Sequence, residues 1–138
     1  MILVAKKIRA GIVTAFDAAM TANSKTCPIY ANPPHNQAVP YAHLSSFTTI
    51  PRHNKTHEGT EHYPEIVIYG DDPDEVLDLC DIALQALTDR DSAITVDSSV
   101  KLITWDLDSI TEVTPIPVPE GDGAHYGVRI RLKHRTHE

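Results

Sequence analysis

Cysteine is scarce in this chain, with two in 138 residues, Cys27 and Cys80. One precedes a proline and the other falls on the apolar side of a helical pattern. The expectation is therefore two reduced thiols, not a disulfide framework or a zinc-binding CxxC pair. Tryptophan occurs once, at Trp105, a residue expected in the core or at an interface. Cations are outnumbered, 12 Lys and Arg against 19 Asp and Glu, for a formal charge of −7. That balance argues against a general nucleic-acid binder, whose footprint on phosphates needs a basic excess, and leaves room only for a local basic patch. No apolar run approaches membrane-spanning length. Met-Ile-Leu-Val-Ala at the start is too short for a signal-peptide core, and Lys6-Lys7 follows it instead of preceding it. A protein made in the cytoplasm, or assembled there into something larger, is expected. GxSxG, GxGxxG and GxxxxGK[ST] are all absent, so neither a nucleophile elbow nor a phosphate-cradling loop is encoded. On this reading the chain is not an enzyme: it has no catalytic residue, no cofactor-binding residue and no metal ligand.

What is present is a well-punctuated α+β pattern. An apolar fraction of 41% and a charged fraction of 22% suit a soluble protein, and residues 1–138 are expected to form one domain. The clearest stretch is Glu61 to Asp89. Glu65-Ile-Val-Ile-Tyr69 is a dense β-branched and aromatic run that predicts a well-buried strand. It stops at Gly70-Asp-Asp-Pro73, where a helix start is written out: Asp72 to cap, Pro73 at the first helical position, Glu75 three residues after the cap. Val76, Leu77, Cys80, Ala83, Leu84 and Leu87 then recur at helical spacing as one apolar stripe. Asp74, Asp78, Asp81, Gln85 and Asp89 fall on the other side.

The flanking chain supplies the remaining elements. Residues 2 to about 22 predict a helix with Ala5, Ile8, Ile12, Ala15, Phe16 and Ala19 on its apolar face. Cys27 to Pro40 carries four prolines and predicts a loop. Tyr41 to Ile50 predicts a strand, with Ala42, Leu44, Ser46, Thr48 and Ile50 on one face and Tyr41, His43, Ser45, Phe47 and Thr49 on the other. Pro51 to His62 is polar throughout and predicts a linker. Ala93 to Val96 reads as a short extended piece, Val100 to Val113 as a long strand, and Thr114 to Gly123 as a proline- and glycine-rich turn. Ala124 to Lys133 alternates cleanly: Tyr126, Val128, Ile130 and Leu132 point one way, His125, Arg129, Arg131 and Lys133 the other. The resulting fold class is α+β, an antiparallel or mixed sheet of about four strands with two main helices packed on one face.

Eight histidines invite a metal reading. His53, His57 and His62 cluster in the linker, with His35 and His43 upstream. Zinc sites hold their ligands at fixed spacing on rigid elements, and neither a helical histidine pair nor a CxxC accompanies these residues. A solvated, titratable loop is the expectation, with a small metal-dependent enzyme as a remote alternative. Asp106 and Asp108 would share a strand face, and a solvated pair of acids is expected there ahead of an acid/base pair. The polar linker, through Arg52, His53, Asn54, Lys55, His57 and Glu58, and the terminal strand, through Arg129, Arg131 and Lys133, are the candidate oligomer and partner interfaces.

The order of these features resembles the tail terminator, or tail-completion, proteins of long-tailed bacteriophages and prophages. The residues that carry the resemblance are an N-terminal helix followed by Pro28-Ile29-Tyr30, a proline-bearing loop, and Val39-Pro40-Tyr41 opening a strand. A polar linker, a strand ending in an acidic turn, the helix Glu75 to Leu87, a long strand, a variable loop and a closing basic strand follow. The resemblance implies a structural virion protein without a cofactor. It implies a ring, typically of six subunits, on the head-proximal end of the tail tube, which stops tube growth and presents a surface for head joining. The implied partners are further copies of the chain, the tail tube protein, head-tail connector proteins and, transiently, passing DNA, with no membrane. A head-tail connector or other neck component is the alternative within the same setting.

Overall fold

The computed structural model describes residues 2–32, 39–51, 59–88, 101–117 and 124–137. Along the chain these form helix α1 (Ile2–Ala22), strands β1 (Ile29–Tyr30), β2 (Tyr41–Pro51) and β3 (Gly59–Gly70), helix α2 (Pro73–Thr88), and strands β4 (Lys101–Pro117) and β5 (Ala124–His137). The strands make one five-stranded sheet in the order β1-β2-β3-β5-β4. Only β1 runs parallel to its neighbour, and the other pairings are antiparallel. The fold is the expected α+β class. The strand beyond the expected number is β1, two residues inside the predicted proline loop that pair with Ala42 and His43.

Each helix forms where its sequence dictates. The Asp72 carboxylate accepts a hydrogen bond from the Asp74 N–H at 3.0 Å, and the Asp72 carbonyl accepts the first helical bond, from the Val76 N–H at 3.0 Å. Asp74 and Glu75 add negative charge in the first turn, at the positive end of the helix dipole. At the far end of α1 the Ser24 N–H bonds the Thr21 carbonyl and the Lys25 N–H bonds the Met20 carbonyl, the paired closure of a Schellman motif. Ser24 takes the left-handed conformation that this closure needs, with φ of 57°.

Both helices bury one stripe against one face of the sheet. The core joins Ile8, Ile12, Ala15, Phe16 and Met20 of α1 to Val76, Leu79, Cys80, Ala83 and Leu87 of α2. Beneath them lie Ala42, Leu44, Ile66, Ile68, Val128, Ile130 and Leu132. α2 crosses β3, β5 and β4, and α1 packs beside it toward β1. Gly70 makes the strand-to-helix turn possible at close range, because a Cβ there would stand 2.7 Å from Val76 Cγ2.

Several expectations need correction. In α2, Leu77 is 42% exposed and Leu79 is buried in its place. In α1, Met20 completes the stripe, whereas Ala5 and Ala19 are only half-buried. β2 does not alternate throughout. A register shift between Leu44 and Ser46 leaves Ser45 and Ser46 both exposed. A bulge of this kind inserts one residue and inverts every side chain after it. Phe47 consequently packs against the core, and Thr49 reaches His62 on that side.

β3 starts at Gly59, well before the predicted Glu65, and runs through Pro64. Proline normally argues against a central strand because it lacks a donor. Here the β3–β5 register is continuous to His62 and resumes at Glu65, so Pro64 falls in the gap. β4 likewise continues to Pro117, into the predicted turn, with a further register shift between Val113 and Ile116. The predicted piece Ala93–Val96 and the Trp105 side chain lie outside the described residues.

Candidate functional site

β5 positions the cationic candidates as its alternation predicts. Val128, Ile130 and Leu132 are buried under the helices, and His134 continues that row, fully buried. Arg129, Arg131 and Lys133 project from the opposite sheet face, Arg129 exposed and the other two half-buried. Neighbouring strands decide what each cation meets. Glu65 stands opposite Arg131 on β3, and Val67 and Thr111 flank Arg129 on β3 and β4.

Tyr63 is the centre of this face. The Arg131 guanidinium carbon lies 4.9 Å from its ring centroid and Lys133 Nζ lies 6.0 Å from it. The Tyr63 hydroxyl donates to Glu61 Oε2 at 3.0 Å. Arg131 Nε also pairs with Asp108 Oδ2 at 3.4 Å, with both side chains about two-fifths exposed. The Ser46 hydroxyl donates to Glu65 Oε2 at 3.1 Å. Around Tyr63 the face is thus a lattice of cations, carboxylates and an aromatic ring, not a uniformly basic strip, and farther along it Tyr41 and Tyr69 pair with ring centroids 5.1 Å apart. Arg131 and Lys133 are held in place by the lattice, and Arg129 projects from the face. The interleaved charges are not the basic excess that a phosphate footprint needs.

Sequence reasoning found the three cations and missed Tyr63 as the partner of two of them, along with Glu61, which holds the Tyr63 hydroxyl, and Glu65, which stands opposite Arg131. The spacing Glu61, Tyr63, Glu65 is itself a strand alternation, hidden because Pro64 interrupts it and the preceding residues read as linker. Asp108 was expected on a solvated face. It is exposed but falls at a register shift between Leu107 and Ser109 and is tied to Arg131. Its proposed companion Asp106 lies outside the residues whose side chains are described, as do the linker candidates Arg52, His53, Asn54, Lys55, His57 and Glu58.

His62 does not belong to a solvated loop. It is fully buried near the start of β3, with Nδ1 at 3.1 Å from the Thr49 hydroxyl and Nε2 at 2.7 Å from the Thr60 hydroxyl. Burial pushes its pKa down to about 4. A neutral imidazole with both nitrogens occupied by hydroxyls is a core group, not an open metal ligand. Among the described residues no group of three or more His, Cys, Asp or Glu side chains is placed to hold a metal ion.

Both thiols are free and buried. Cys27 borders an open depression of about 350 Å³ lined also by Asp17, Met20 and Lys25. Burial first, then the charges of Glu75 and Asp17, pushes its pKa up to about 12. Cys80 is likewise raised to about 12, chiefly by burial. At neutral pH both are thiols, and a thiol in that state is a poor nucleophile.

No known protein family matches the chain, and no curated protein matches it in sequence. Among solved structures, it is similar to a chain from the virion of a native gene transfer agent particle. The two share 17% identity, the match covers 98% of each chain, and the TM-score is 0.76. The fold is that of a gene transfer agent virion chain. The likeness runs end to end and takes in both helices and the whole sheet.

Proposed function

We propose that this chain is a structural, non-enzymatic subunit of a phage-like virion, and that it caps the head-proximal end of a tail tube as a closed ring. The observation that carries the reading is the end-to-end likeness in fold to a chain of a gene transfer agent virion. The order of elements, which resembles tail terminator proteins, supplies the finer role. The chemistry is compatible: the buried thiols are protonated, the buried histidine is neutral, and the polar sheet face leaves Arg129 exposed. A ring arises when a heterologous interface closes on itself, and such a ring ends a tube by offering it a different surface. Copies of the chain, the tube protein below and the connector above are the partners of this reading. Arg129 and the Arg131–Tyr63–Lys133 cluster form one of the contact surfaces.

Deleting the gene in the producing phage or prophage tests it by electron microscopy. Overlong tails, or tails that fail to join heads, are expected. Tails of normal length that remain headless point to a neck or connector subunit. Normal particles overturn the reading.

A further inference from the structure

The sheet is open at both ends. At one end β4 is outermost, and among the described residues no strand pairs with its outer side. At the other, β1 covers β2 only at Ala42 and His43, which leaves Leu44–Pro51 without an outer neighbour among the described residues. Free strand edges are templates for pairing with another chain, and proteins that must avoid this place lysine or proline along them. Pro51 ends the β2 edge, and Lys101, Pro115 and Pro117 lie toward the ends of the β4 edge. The stretches between them, Leu44–Ile50 and Leu107–Thr111, contain no lysine, arginine or proline, and each carries one register shift.

Among the described residues, two of the three exposed large apolar side chains lie on β4. Leu107 and Ile110 are 42% and 48% exposed. They stand opposite Leu132 and Ile130, so they share the core face of the sheet yet extend past the cover of α2. Leu77 is also 42% exposed. By helical spacing it lies on the flank of α2 opposite Glu75, at the margin of the buried stripe Val76, Leu79, Cys80, Ala83 and Leu87. Asp78 and Asp81 are exposed on α2, the helix that packs over β3, β5 and β4. The β2 end carries the opposite charge. Lys6 and Arg9 are exposed on α1, with the Arg9 guanidinium carbon 5.5 Å from the centroid of Phe47 on β2. Phe47 and Ile50 are half-buried there.

We propose that the acidic, apolar β4–α2 end of one copy docks on the basic β2–α1 end of the next. The proposal rests on reading the chain as a ring-forming subunit and names the surfaces that close the ring. The two surfaces differ, so the contact is heterologous and propagates around an axis instead of stopping at a dimer. Strand direction agrees. β4 runs opposite to β2, since each of the three intervening steps is antiparallel. Copies related by rotation about an axis along the strands therefore bring β4 antiparallel to the next β2, continuing the alternation of the sheet. Lys6 and Arg9 then face Asp78 and Asp81, and such complementarity selects register and rejects the reverse docking.

Charge exchange in the full chain tests this. Sedimentation of the wild type should give a species larger than a dimer. The acidic variant, Lys6→Glu with Arg9→Glu, and the basic variant, Asp78→Lys with Asp81→Lys, should each assemble at least about tenfold more weakly. Mixed in equal amounts they should recover the wild-type species, because each then meets complementary charge at both ends. Recovery on mixing separates a lost interface from a lost fold, and Ile110→Glu should weaken assembly without being rescued by either charge variant. A wild-type chain that stays monomeric, variants that assemble as the wild type does, or a mixture that fails to recover would each overturn the proposal. Oligomers that form but ignore these charges leave the capping reading intact. Assembly that follows them, in a chain whose loss leaves tails normal, overturns capping and leaves this interface standing.

Discussion

His62 and His134 stand directly opposite each other on β3 and β5, and both are fully buried. The linkage for His62 has a definite sign. Its folded pKa of about 4 lies below the ordinary 6.5, so the unfolded chain binds more protons between those values. The stability contributed by neutral His62 is complete above pH 6.5 and is lost as pH falls toward 4. The loss is on the order of 2–4 kcal/mol. Urea unfolding across this range should show the decline in wild type and a flatter profile in His62→Gln. Parallel profiles would assign the acid sensitivity elsewhere.

The corrected stripe of α2 yields a second prediction. Leu79→Ala removes a side chain that is 1% exposed and should cost about 2–5 kcal/mol. Leu77→Ala, on the exposed flank, should change subunit stability by no more than about 0.5 kcal/mol. Denaturant midpoints of the two variants, measured under conditions where the chain is dissociated, decide the order.

Gly70→Ala should destabilise by roughly 1–3 kcal/mol, because the added methyl meets Cγ2 of fully buried Val76 at 2.7 Å. Adding Val76→Ala should recover part of the loss by clearing that contact. If the double variant is less stable than the sum of the singles, the steric explanation is wrong.

Arg129 and Arg131 should separate on reversal. Arg131→Glu removes the contacts to Tyr63 and Asp108 and sets a third carboxylate beside Asp108 and Glu65, a loss of about 1–2 kcal/mol in stability. Arg129→Glu faces Val67 and Thr111 and should leave stability within about 0.5 kcal/mol of wild type. Thermal unfolding reads the difference. Arg129 is accordingly the cleaner probe of any partner on this face.

Local signals carried much of the fold. The cap at Asp72, the β-branched run before Gly70 and the strict alternation from Tyr126 to Lys133 each involve residues close in sequence, where backbone geometry imposes a period. The side chains of residues 126–133 fall on the faces that alternation assigns. Residue order was legible for Arg129, Arg131 and Lys133, whereas the partners that hold two of them were not. Tyr63 and Asp108 come from other strands, and only register brings them to the same face.

Composition and pattern by themselves determined the two helices, the main strands and the inward and outward faces of β5. The placement of Phe47, His62 and Leu77 was decided only in the tertiary structure. A one-residue bulge turned Phe47 inward, and a proline seated in a register gap let β3 extend back and bury His62. Leu77 matched the helical period of its neighbours but lies at the exposed margin of the buried stripe of α2. Periodicity records which residues share a face. It does not record where the covering layer ends, because that edge is set by contacts between segments far apart in the chain.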